Sequence, residues 1–113
     1  MSYVVYNNCF GGFSLSVDSV MWLSERGSKR AYDFLKSIED NEPTAYDLSL
    51  ARHDAMLVLC VEELGSEQAS GNMSELRIIE ISSDKYMIDE HDGWETVLQP
   101  NDIKWISIRG EDR

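Results

Sequence analysis

Two short stretches of this chain carry residue types that can hold an anion. The first is Asn7-Asn8-Cys9-Phe10-Gly11-Gly12-Phe13-Ser14-Leu15-Ser16, where asparagines end an apolar run, a double glycine follows, and serines precede the next apolar pattern. Gly-Gly frees the backbone for positive φ or for close approach to another group. Ser14 or Ser16 can accept from the unpaired N–H groups of a following helix. The second stretch is Arg52-His53-Asp54, directly ahead of an apolar helical pattern. Arg52 suits a carboxylate or phosphate in bidentate fashion, His53 adds an imidazole, and Asp54 reads as a helix cap. Placed side by side, Asn7, Gly11, Gly12, Ser14, Arg52 and His53 would line one pocket for a small nucleotide-like ligand, with backbone N–H groups and Arg52 on its charged part. The same residues also make a plain turn and a capped helix, and no GxGxxG or P-loop pattern marks a nucleotide fingerprint. The turn is the simpler reading.

Two acidic clusters point to a different chemistry. Glu62-Glu63 closes an apolar helical pattern, where carboxylates oppose the helix dipole. Asp89-Glu90-His91-Asp92 resembles a metal-ligand set, but its members are adjacent, and strand alternation sends neighbours to opposite faces. A solvated hairpin tip is the better reading, and no metal or other cofactor is expected. For catalysis there is no GxSxG, no Cys–His pair at a familiar spacing, and only two histidines. The pattern argues against an enzyme; a hydrolase would share the Gly11-Gly12 and Arg52 pocket and differ only in turnover.

Charge narrows the partners. Twenty-one acids against ten bases give a net charge of −11, and residues 57–113 alone hold thirteen acids and five bases. Direct nucleic-acid binding and anionic membranes are disfavoured, since both need clustered Lys and Arg. A partner protein with a basic surface suits the chain, with Glu62, Glu63, Glu90 and Asp92 as the contact residues. The N-terminus shows no basic segment followed by a long apolar one, and the apolar run Met56 to Val61 is six residues, far short of a membrane span. Cys9 and Cys60 lie in apolar surroundings without CxxC spacing. A reduced, cytoplasmic protein with two small buried thiols is the expectation.

The elements that must position these groups follow from periodicity. The 113 residues fit a single domain. Residues 3–9 read as a strand, 16–26 as a helix stopped by Gly27, and 30–39 as a second helix, with a loop over 40–44. Asp54 opens a third helix with Leu57, Val58, Val61 and Leu64 on its buried face and Gly65 at its end. Residues 66–74 form a polar connection, and strands follow at 76–81, 85–90, 94–98 and 103–108, with Asp92-Gly93 as a tight hairpin turn. The fold class is α+β: an antiparallel sheet, its later strands in a meander, with two to three helices packed on it. Sheet edges leave a homo-oligomer open, Trp94 or Trp105 could anchor an interface if exposed, and the periodicity does not place either in or out of the core.

Three ordered motifs add a resemblance. They are Asn-x-Cys-Phe-Gly-Gly-Phe-x-Leu-Ser at 7–16, Arg-His-Asp with Val-Glu-Glu-Leu-Gly at 52–65, and Leu-x-Ile-x-Glu-Ile with Asp-Gly-x-Glu-x-Val at 76–81 and 92–97. With them the chain resembles a family of small acidic proteins common in bacteriophages and some large DNA viruses; residues 28–51 lie outside the pattern. The resemblance implies a phage or prophage origin and action in the host cytoplasm, and it implies no reaction. The leading expectation is therefore a non-enzymatic accessory protein that binds and inhibits a host or defence protein through an acidic surface. The alternative is a binder that sequesters a nucleotide-derived signal in the Gly11-Gly12 and Arg52 pocket.

Overall fold

A computed structural model describes residues 2–37 and 48–102 of the chain. Strand β1 (Ser2–Asn7) comes first, followed by helices α1 (Val17–Glu25), α2 (Lys29–Ser37), α3 (Ala55–Leu64) and the single-turn α4 (Ser66–Ala69). Strands β2 (Leu76–Ile81), β3 (Met87–His91) and β4 (Trp94–Leu98) follow, then a short 3₁₀ turn. The class is α+β. No helix among the described residues is long and apolar enough to cross a membrane.

Local chemistry sets the helix ends. The Ser16 Oγ accepts from the Ser19 N–H at 3.1 Å, so Ser16, not Ser14, caps α1. At the other end the Ser28 N–H reaches the Leu23 carbonyl and the Gly27 N–H the Ser24 carbonyl, a Schellman closure with Gly27 at φ +95°. The Ser28 Oγ then accepts from the Ala31 N–H at 3.3 Å, so one serine both finishes α1 and begins α2. Asp54 caps α3 by accepting from Met56 and Leu57, and Gly65 ends it.

The strands depart from the expected meander. β1 pairs antiparallel with β2, β3 pairs with β4, and β2 does not pair with β3. The reason lies in β1, where Val4 and Val5 point to opposite faces and are both fully buried. Such a strand needs cover on both sides, which a one-sided sheet would not provide. Val5, Ile78 and Leu76 pack against Leu15, Leu23, Leu57 and Cys60 of the helical layer. On the other face Val4, Tyr6, Ile79 and Ile81 meet Ile88 and Val97 of the β3–β4 hairpin. The β1–β2 ribbon is thus the middle of three layers.

Smaller differences concern boundaries. β1 ends at Asn7, two residues early, β3 is shifted to 87–91, and the connection 66–74 contains α4, which makes four helices among the described residues. Asp92 (φ +51°) and Gly93 (φ +89°) form the expected tight turn. The loop at 40–44, the end of the second helix and the strand at 103–108 lie outside the described residues. Cys60 is buried, and desolvation raises its thiol pKa against weaker lowering by a Ser19 hydrogen bond. Cys9 is not the buried thiol expected: it is half-buried, with its Sγ 3.2 Å from the Met73 carbonyl oxygen.

Glycines separate two kinds of constraint that denaturation can distinguish. A Cβ on Gly11 would stand 1.5 Å from the Met73 carbonyl oxygen, whereas one on Gly27 would meet nothing within 4 Å and only its positive φ would suffer. Gly27→Ala should therefore lower stability by about 1 kcal/mol. Gly11→Ala, which must push two backbone segments apart, should lower it by more than about 3 kcal/mol in urea melts.

Candidate functional site

Alternation along β4 sends Glu95 to the same face as Val97, and the register sets Glu95 opposite Glu90 and Val97 opposite Ile88. That face is the one laid against the β1–β2 ribbon, so a carboxylate only 6% exposed sits at the edge of an apolar layer. A buried charge of this kind requires a partner. Arg52 supplies it in a fork: Nη1 lies 2.6 Å from Oε1 and Nη2 2.9 Å from Oε2. The Asn7 N–H, on the outer edge of β1, donates to the same Oε1 at 2.9 Å. Beneath the guanidinium lies the Phe13 ring, 3.6 Å from the Arg52 Cζ. The Arg52 carbonyl accepts the Val5 N–H at 2.9 Å, so backbone and side chain are both fixed. One cluster therefore joins the loop before α3, the edge of β1, the loop before α1, and the hairpin.

The Asn7 side chain makes a second junction. Its Oδ1 accepts from the Glu75 N–H at 2.8 Å and the Ser74 Oγ at 3.1 Å, while its Nδ2 donates to the carbonyls of Cys9 and Gly93, each at 2.7 Å. Around it three loops touch backbone to backbone. A Cβ on Gly93 would lie 2.5 Å from the Gly12 nitrogen, and one on Gly71 would lie 2.7 Å from the Leu15 carbonyl oxygen. The double glycine does provide close approach, and what approaches is the chain itself.

Asn7 and Arg52 are thus brought together around an anion, and that anion is the carboxylate of Glu95. Gly11 and Gly12 lie at the loop junction; the Ser14 Oγ is enclosed without a hydrogen-bond partner among the described residues. His53 turns elsewhere, its Nδ1 2.8 Å from the Tyr86 hydroxyl. Desolvation raises the Tyr86 phenol pKa, against a lowering by the nearby Arg52.

The four acids separate into two pairs. Glu62 lines a groove with Ser2 and Tyr3 at the start of β1, and Glu63 lies 4.0 Å from Arg26. Glu90 accepts the Gly93 N–H, and Asp92 occupies the hairpin tip, 3.9 Å from the His91 Nε2. This tip meets the far end of β1, so about 17 Å of strand separates the pairs. Among the described residues, no three His, Cys, Asp or Glu side chains are grouped to hold a metal ion.

Sequence reasoning named Trp94 as a possible anchor but missed the Phe10 and Met73 members of an exposed apolar patch at the tip. The rings of Phe10 and Trp94 meet edge to face, with centroids 4.8 Å apart at 64°. Phe10 is 63% exposed and Met73, whose Cβ runs beside Gly11, 71%. Met73 adopts φ +66°, a left-handed conformation unusual for a side chain of its size. Large apolar residues beside Gly-Gly and Asp-Gly turns were the available signal, because a turn leaves little room to bury them. Glu95 had a signal too: it alternates with Val97 and so had to face inward.

Comparisons with protein-family models, curated proteins and solved structures found no match.

Removing one member of the Arg52–Glu95 pair should be worse than removing both. Arg52→Met leaves a buried carboxylate and should cost about 3 kcal/mol or more. Combining it with Glu95→Leu should recover most of that loss, a coupling that a double-mutant cycle in urea would measure.

Proposed function

We propose that this chain is a non-enzymatic, phage-encoded accessory protein that works in the host cytoplasm by binding a host or defence protein with a basic surface. The observation that carries the reading is the Phe10–Trp94–Met73 patch at a packed loop junction, on the hairpin whose tip also carries Glu90 and Asp92. Exposed aromatic and methionine side chains inside a charged rim have the composition of an interaction hot spot. Acids beside them favour basic partners and speed encounter. Met73 strengthens the case, because a left-handed methionine is a local cost that presents its side chain to solvent. The phage origin rests on the motif resemblance. The same site offers less to a nucleotide-like ligand, since Glu95 already engages the guanidinium of Arg52.

The test is capture of a host protein by the full chain, its identification, and affinity measurement with the purified partner. Trp94→Ala and Phe10→Ala should each weaken binding by about tenfold or more while the circular dichroism spectrum persists. Glu90→Lys with Asp92→Lys should slow association and flatten its salt dependence. Met73→Gly should hold or raise the melting temperature yet weaken binding, separating presentation from stability. A partner held equally well by Trp94→Ala would refute the reading.

A further inference from the structure

A second surface lies at the other end of β1, independent of the tip. Helix α3 buries Leu57, Cys60 and Val61, yet its opposite side is also apolar: Met56 and Leu59 are 36% and 39% exposed. A helix apolar on both sides normally has cover on both. Beside it Tyr3 of β1 is 46% exposed, and a groove of about 390 Å³ runs between them, lined by Tyr3, His53, Ala55, Val58, Leu59 and Glu62.

Charge selects what fits. α3 contains no basic residue and ends in Glu62 and Glu63, where its own unpaired carbonyls already place partial negative charge. Arg26 reaches Glu63 at 4.0 Å, while Glu62 has no cationic side chain within that distance among the described residues. An apolar groove therefore has a carboxylate without a cationic partner among the described residues at its Glu62 end. A second copy of this chain carries the same overall charge of −11, and an anionic membrane would be repelled in the same way.

We infer that the α3–Tyr3 groove docks a cationic amphipathic segment of a partner protein. Its apolar side chains cover Val58, Leu59 and Tyr3, and a lysine or arginine meets Glu62. Helix-in-groove recognition of this kind is read as apolar anchors at helical spacing with a charge at one end.

The probe is a synthetic leucine–lysine peptide of about 15 residues with leucines at helical period. A second peptide has the same composition with the period scrambled. The full chain is labelled at methionine and leucine methyl groups and titrated by NMR. The expected result is saturable shifts at Leu59, with the scrambled peptide at least about tenfold weaker. Leu59→Asp and Glu62→Lys should each weaken binding about tenfold, and Tyr3→Ala tests the opposite wall should Leu59→Asp fail to fold. Equal affinity for the scrambled peptide, unchanged affinity in Glu62→Lys, or absence of binding would overturn the inference. So would shifts confined to Met73, or shifts at Leu59 that grow with protein concentration alone. Because these readouts avoid Phe10 and Trp94, failure here is distinct from failure of the tip as a binding surface.

Discussion

The three-layer arrangement depends on one buried ion pair. Hydrophobic contact between Val4, Ile79, Ile88 and Val97 would hold the hairpin against the ribbon in many orientations, since such contact has no direction. The fork between Arg52 and Glu95 is directional. It accepts only the placement in which the helical layer reaches past the edge of β1 and grips the hairpin. Desolvation offsets much of the attraction in such a pair, so its contribution here is register more than net stability. The Asn7 N–H on the same carboxylate ties that register to β1.

The glycines and Asn7 perform the same task for the loops. Three loops converge on one asparagine side chain, which bonds three of their backbone groups and the Ser74 hydroxyl. Close approach at Gly11, Gly71 and Gly93 makes that convergence possible. A rigid platform results, and it explains how Phe10, Met73 and Trp94 remain at the surface: the space beneath them is already filled by backbone. Presentation of apolar side chains is thus a consequence of how tightly the junction is packed.

Much of the architecture was legible in the sequence because it is local. Ser16, Gly27, Asp54 and Gly65 mark helix ends through bonds to residues two to five positions away, and Asp92-Gly93 fixes its own turn. The adjacency of Asn7 and Arg52 was legible as a possibility, and the structure makes it real. Their shared anion was obscured because Glu95 lies 43 residues from Arg52 and reads as one more acid in an acidic half. Sheet partnership was obscured for a related reason. Pairing β1 with β2 is a choice among strands with similar patterns, decided by which face each must bury. The tip patch needed the packed junction to be known first, because exposure of Phe10 and Met73 follows from what occupies the space below.

The position of β1 also sets the order in which the molecule can assemble. Asn7 completes its environment only when Glu95 is present, 88 residues later in the chain. At ribosomal speeds that interval is roughly ten seconds. Helices α1 and α2, joined through Ser28, depend on near neighbours and can form at once. The middle layer must wait with Val4 and Val5 uncovered until β2 and then the hairpin have been made. The decisive step of folding therefore waits for the hairpin, and during that wait a short apolar strand is available to whatever else in the cell can bind it.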